Sequence, residues 1–287
     1  MKRISLSTGT PQHRFGDRKT LRLLAESGFD GADFLLHGHE KLMLPEDELT
    51  RYFTDLRSLA DALGITICQT HGLLAGFGPD EQQNALTLET AKRQLKATAL
   101  LGAKHCVLHS ARAYQWGFDA PFEEVQAANR RMCAALIPTA EDCGVSLCLE
   151  SLGRTKVNGV IGLEFYADPH RLMADHDALP TGWKGLCLDT DHCWCAMDGG
   201  HPDPAETVRL FGSRLTALHL SDSGGSGKHP RPGHGKLHWA ALFEALDEVG
   251  YSGFYNFELS LRKDDGLEEE IRELGRYLRE FVNQFGA

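Results

Sequence analysis

Six side chains of the metal-ligating or acid–base type recur along this chain at nearly even spacing: His71, His109, Glu150, Asp189, His219 and Glu258, separated by 30 to 41 residues. Mixed imidazole and carboxylate donors suit Mn²⁺, Zn²⁺, Fe²⁺ or Co²⁺. Glu150 and Glu258 carry the most weight. Each lies at the end of an apolar run, where a buried carboxylate is costly unless it is paired or metal-bound. His71 and His109, taken singly, read equally well as hydrogen-bonded core histidines. His192, in CLDTDHCW, and His229, in GKHPRPGHG, reach the same place from loops. On a 2-hydroxy carbonyl compound, a divalent metal ion holding both oxygens would acidify the adjacent C–H and stabilise an enediolate. Glu150 and Glu258 would then be the acid/base pair, taking a proton from one carbon and returning it to the same or another. A leaving group beside that enediolate would make the outcome a lyase or dehydratase reaction.

Bringing six side chains together requires each gap to hold one strand, one helix and two loops. The chain has that form. Eight β-like runs, at 2–8, 31–37, 65–71, 105–110, 145–150, 185–189, 215–220 and 253–259, alternate with amphipathic stretches. Val125, Ala128, Met132 and Leu136 keep helical spacing before the stop signal Gly144, and Leu267, Ile271, Leu274, Leu278 and Phe281 do the same near the C-terminus. Eight strands with intervening helices predict an α/β fold, a (β/α)8 TIM barrel, as a single domain over residues 1–287. A doubly wound open sheet is the alternative, but no Gly-rich fingerprint follows the first run. Within the runs one face is small or polar (Ser146, Cys148, Glu150; Asn256, Glu258) and the other bulky (Leu147, Leu149; Tyr255, Phe257). That split suits strands lining a barrel inside a shell of helices. The residues at the ends of the runs then meet at the C-terminal rim, where barrel enzymes place their sites.

Composition narrows the function classes. With 30 Lys+Arg against 40 Asp+Glu in 287 residues, the formal charge is −10, which argues against a general nucleic-acid binder. No apolar run is long enough for a membrane span, and the first residues lack a secretory signal. Eight cysteines are too few for a disulfide scaffold, and Cys193-x-Cys195 has no second pair to complete a zinc site, so a reduced, cytoplasmic setting is expected. The string GGSGK at 224–228 fails as a phosphate loop, because His229 rather than Ser or Thr follows the lysine. Arg154, Lys228 and Arg231 are candidates to hold a phosphate or carboxylate, against the plainer reading as solvated surface cations. His37 and His39 read as solvent-facing loop residues. Trp116, Phe118 and Trp194 lie on the rim, where stacking on a sugar and ordinary packing are both open.

Glu150 in the fifth run, Asp189 and His192 as D-x-x-H in the sixth, His219 in HLSD in the seventh and Glu258 in the eighth form a recognisable pattern. It resembles the xylose-isomerase-like TIM barrels, a superfamily of sugar isomerases and epimerases together with endonuclease IV. The resemblance runs over essentially the whole chain, including GFDGAD at 28–33. It implies one divalent metal ion held by Glu150, Asp189, His219 and Glu258, with His192 on the substrate. His71, His109, His229 and Arg231 join His192 in the expected substrate-binding set. The implied function is a metal-dependent isomerase or epimerase, or related lyase, acting on a sugar, polyol or keto-sugar. The ketose 3-epimerase branch carries an Arg where this chain has Gly225. Endonuclease IV, with three zinc ions, matches at His71, His109 and His229 and has an Asp where this chain has Gly227. A phosphodiesterase acting at abasic DNA is therefore the alternative, and a barrel that binds a ligand without catalysis a third reading. Whether copies of the chain assemble into a homo-oligomer is left open.

Overall fold

A computed structural model describes residues 2–223 and 228–285. The chain opens with β1 (Ile4–Ser7), α1 (Gly9–Phe15), α2 (Asp17–Glu26), β2 (Gly31–Leu35), α3 (Glu46–Leu63), β3 (Thr66–His71), α4 (Glu81–Leu100) and β4 (His105–Leu108). Then come α5 (Ala113–Trp116), α6 (Phe122–Cys143), β5 (Ser146–Glu150), β6 (Arg154–Val157), β7 (Val160–Leu163), α7 (Pro169–Ala178) and β8 (Lys184–Asp189). The last elements are α8 (Thr190–Ala196), α9 (Pro204–Phe211), β9 (Leu215–His219), α10 (Trp239–Glu248), β10 (Tyr255–Phe257) and α11 (Leu267–Asn283).

Eight of these strands form one parallel sheet in the order β10-β1-β2-β3-β4-β5-β8-β9. Its two edges meet. Leu220 pairs with Phe257, the Leu220 N–H donates to the Asn256 carbonyl at 2.8 Å, and the Glu258 N–H donates to the Leu220 carbonyl at 3.1 Å. The sheet is thus a barrel and not an open, doubly wound one. All eight expected runs supply a barrel strand, although the last is ordered as a strand only over Tyr255–Phe257.

The period-2 split of the runs becomes two environments. Val107, Cys148, Cys187 and Ala217 form a small apolar cluster of their own inside the barrel. Leu147, Leu149, Leu186, Leu188, Leu218 and Phe257 belong instead to the continuous core shared with the helices. Burying each such leucine contributes about 2 kcal/mol. Helix α6 buries Val125, Ala128, Met132, Leu136 and Ala140 along one stripe and ends at Gly144, whose φ of 62° is the left-handed conformation that glycine adopts without strain. Helix α11 buries Leu267, Ile271, Leu274, Leu278 and Phe281. At Gly275 a Cβ would lie 1.8 Å from the Ser27 carbonyl oxygen, so only glycine lets α11 approach the end of α2 so closely.

The β6–β7 hairpin stands outside the barrel, and the alternation of runs does not anticipate it. Its signal is Val-Asn-Gly-Val at 157–160. Asn158 and Gly159 both take positive φ (49° and 87°), the two-residue turn that an Asn-Gly pair favours. Among the described residues no helix is long and apolar enough to cross a membrane. No disulfide joins any of the eight cysteines.

Candidate active site

The strands deliver the expected side chains to one place. His71, Glu150, Asp189 and His219 are the last residues of β3, β5, β8 and β9, while His109 and Glu258 lie one residue past β4 and β10. His219 Nδ1 sits between two carboxylates, 3.2 Å from Glu150 Oε1 and 3.0 Å from Glu258 Oε2. His109 Nε2 lies 3.0 Å from Glu150 Oε2, and His71 Nε2 lies 3.5 Å from the same oxygen. Glu150, Asp189, His219 and Glu258 each offer one ligand atom, all within 4.8 Å of one another. Among the described residues four overlapping groups adjoin this set, including His71 with His109 and Glu150, and Asp189 with His192 and His229.

The central set fits a divalent cation. Both Glu150 oxygens, Asp189 Oδ2 and His219 Nδ1 are buried and accept or donate no hydrogen bond of good geometry. Buried carboxylate oxygens left this way cost several kcal/mol in most proteins. A positive ion bound among them removes that cost, and oxygen with imidazole nitrogen is the donor set of Mn²⁺, Fe²⁺, Co²⁺ or Zn²⁺.

The electrostatics agree. Burial alone would raise the Glu150 carboxyl, but the imidazoles of His219 and His109 hold it well below the ordinary carboxylate range. Glu258 is also held low, with His219 and His71 outweighing burial. Asp189 goes the other way, because its burial outweighs His192 and His229. His192, despite burial, is pushed up to about 10 by Asp189 and Glu150. Among the imidazoles, His192 and His219 are raised by the carboxylates despite burial, whereas burial lowers His71.

Several residues hold this geometry. His192 Nδ1 lies 2.9 Å from the Ser151 carbonyl, which commits that nitrogen as the donor, and the His192 backbone N–H caps onto Asp189 Oδ1 at 2.8 Å. His229 has φ of 44°, a strained backbone for a non-glycine residue. Its N–H donates to Asp191 Oδ2 at 3.2 Å, and its Nδ1 stands 3.3 Å from Ser221 Oγ and 3.7 Å from Asp189 Oδ2.

Asp33, in GFDGAD, is the residue that run-end reasoning misses. It lies inside β2, and its Oδ2 is 3.2 Å from His219 Nε2, on the side of the ring opposite the two glutamates. Ser7 Oγ and Asn256 Nδ2 donate to the same oxygen at 2.7 and 3.1 Å. A carboxyl group on the inward face of an apolar strand is the signal that could have found it.

Asp222 organises the loop that carries His229. Its carboxylate accepts from the backbone N–H groups of Ser223, Gly233 and Leu237 and from the Trp239 indole at 2.8 to 3.0 Å. Burial opposes ionisation, yet the Trp239 indole and these N–H groups hold the carboxyl below its ordinary value. Because the folded value is depressed, the stabilisation is complete above about pH 4 and is lost as pH falls through the folded value. Asp222→Asn is expected to lower stability near neutral pH by about 2 kcal/mol, with the deficit shrinking toward about pH 3. Thermal melts of both proteins across this range check it, and a deficit that does not change with pH overturns it.

Other expected residues lie elsewhere. Arg231 Nη2 is 3.7 Å from Glu270, and its guanidinium lies 5.6 Å from the Tyr277 ring centroid, so it is engaged with α11. Arg154 donates to the Cys195 carbonyl at 2.8 Å and neighbours Asp198. His39 is not solvent-facing: its Nε2 is 3.0 Å from the buried Asp17, to which Tyr52 also donates. His37 is exposed, as expected. Trp116 donates its indole N–H to the Phe77 carbonyl, a packing role. Gly225 and Gly227, and most of the GGSGK string, lie outside the described residues.

The family model for the xylose isomerase-like TIM barrel matches residues 21–281. This chain belongs to that family. Among relatives of this xylose isomerase-like barrel, the D-psicose 3-epimerase of Ruminiclostridium cellulolyticum is 26% identical over 227 residues, covering 76% of this chain and 71% of that protein. A D-psicose 3-epimerase structure determined in the presence of D-fructose superposes with a TM-score of 0.76 at 17% identity, over 100% of both chains. The structure of the IOLI protein with a binding zinc atom gives 0.75 at 18% identity, again over 100% of both chains. The two structural likenesses show the shared fold.

Proposed function

We propose that this barrel is a divalent-metal-dependent sugar isomerase or epimerase acting on a keto-sugar or polyol-derived carbonyl compound. The observation that carries the reading is the convergent Glu150–Asp189–His219–Glu258 set, in which both Glu150 oxygens and Asp189 Oδ2 are buried without a hydrogen bond. The 3-epimerase relative supports the substrate class, and the zinc recorded in the IOLI structure supports a divalent ion in this fold. When bound, such an ion supplies the Lewis acidity that makes a C–H beside a carbonyl removable near neutral pH.

The rest falls to the side chains. Glu150 and Glu258 stand on two sides of His219 Nδ1, so a carbon held between them can lose a proton to one and regain it from the other. They are not equivalent. The Glu150 side chain is 0% exposed and that of Glu258 25%. Glu258 can therefore exchange its proton with water, while Glu150 keeps its own from solvent. His192, with Nδ1 committed to Ser151, has Nε2 left for a substrate oxygen. Turnover by Mn²⁺-loaded protein of at least one compound in a panel of ketoses, inososes and keto acids is the expected result. Metal-loaded protein that turns over none of them overturns the reading.

An endonuclease IV-like phosphodiesterase is the second reading, favoured by the two flanking ligand groups that contain His71, His109, His192 and His229. The formal charge of −10 weighs against it, as does the engagement of Arg112, Arg154 and Arg231 by Glu164, the Cys195 carbonyl and Glu270. Nicking of an abasic duplex by zinc-loaded protein would favour it.

A further inference from the structure

His109 faces a cation donor on the side where a metal-ligating histidine needs an acceptor. Its Nδ1 lies 2.8 Å from Arg112 Nη1 and 3.1 Å from the Leu74 carbonyl oxygen. Its Nε2 lies 3.0 Å from Glu150 Oε2 and 3.3 Å from His71 Nε2. A guanidinium N–H can only donate, and arginine does not lose its proton in proteins, so Arg112 occupies the Nδ1 lone pair. The ring proton then stays on Nε2, and that nitrogen has no lone pair for a cation.

A ligating histidine normally donates its other N–H to a carbonyl or carboxylate. The Leu74 carbonyl is placed for that purpose, but the Arg112 contact is the shorter. Arg112 is itself fixed. Its Nε donates to Glu164 Oε1 at 2.8 Å, and Glu164, wholly buried, also accepts the Ala113 N–H at 2.7 Å. The lock therefore ties the loop after β4 to the segment after the β6–β7 hairpin.

We propose that Arg112 withholds His109 from metal coordination, so that the His71–His109–Glu150 group takes no second cation and His109 serves as a positioning residue that keeps its Nε2 proton facing Glu150 Oε2. Without His109, that group keeps two protein donors, fewer than the three or four of a zinc site. This rests on the reading of Glu150, Asp189, His219 and Glu258 as one cation site.

The test is zinc titration of metal-stripped, full-length protein, read by calorimetry and elemental analysis. The wild-type chain is expected to bind one zinc ion. In R112M/E164Q, where both members of the buried pair lose their charge together, His109 is free to donate Nδ1–H to Leu74. The expected count rises to two, and adding His109→Gln returns it to one. A second ion in the wild type that His109→Gln removes, or no ion gained in R112M/E164Q, overturns the inference; no ion in the wild type overturns the single-site reading beneath it. Should the double variant not fold, the wild type decides. Long-range ¹H–¹⁵N correlation of zinc-loaded protein, with His109→Gln assigning the signals, is expected to place the His109 proton on Nε2, and a proton on Nδ1 overturns the inference.

Discussion

In Glu150→Gln, turnover is expected to fall by about a thousandfold or more, together with metal affinity. The two losses share a cause. Glu150 is a fully buried carboxylate of the mouth and the common neighbour of His71, His109, His192 and His219. Glutamine keeps the shape but removes the charge that a cation and those imidazoles meet. It also places amide protons against the Nε2–H of His109. Stability should move the other way in metal-free protein. A buried carboxylate without hydrogen bonds is being replaced by a neutral group, so the melting temperature should stay level or rise. Addition of Mn²⁺ or Zn²⁺ should raise the wild-type melting temperature and leave that of the variant nearly unchanged, because only a ligand that binds the native state stabilises it. A variant that keeps the full metal-dependent rise removes Glu150 from the proposed site.

Asp33→Asn carries the second largest expected effect, a loss of about 10- to 100-fold in metal affinity and activity. His219 has glutamates at Nδ1 and Asp33 at Nε2. A carboxylate at Nε2 favours the tautomer with its proton there, which leaves the Nδ1 lone pair free for a cation. An amide at position 33 can turn either group to the ring and no longer selects that tautomer. The surrounding contacts limit other damage. Ser7 Oγ and Asn256 Nδ2 still need an acceptor, which the amide oxygen of the variant side chain can supply, and Asn256 keeps its bond from Ser5 Oγ at 2.9 Å. Competition against a chelating dye measures the affinity. An affinity within about twofold of wild type would show that Asp33 does not orient the ring.

Much of this is legible in one dimension. The eight runs become the eight barrel strands because a strand lined by small side chains and backed by bulky ones has only one kind of surroundings, a closed sheet inside helices. The six evenly spaced side chains become neighbours because a repeated strand–helix unit returns each strand end to the same rim. The hairpin at β6–β7 escapes that reading although its Asn-Gly turn is a short-range signal, since it interrupts the alternation on which the other strands depend. His39 reads in sequence as a loop residue facing solvent, and its partners Asp17 and Tyr52 are 22 and 13 positions away along the chain, on either side of it. Nothing local announces such a pairing.

Residue type and period are enough to indicate the barrel, its rim and the six strand-end side chains that meet there, because burial and hydrogen-bond geometry repeat with the strand. Orientation is left to the tertiary structure. Whether Arg231 meets a substrate or Glu270, and whether His109 Nδ1 faces a carbonyl or the Arg112 guanidinium, depends on loops whose paths no periodicity governs. A histidine's chemistry is set by which nitrogen is already occupied, and that depends on groups that only folding brings within about 3 to 4 Å of it.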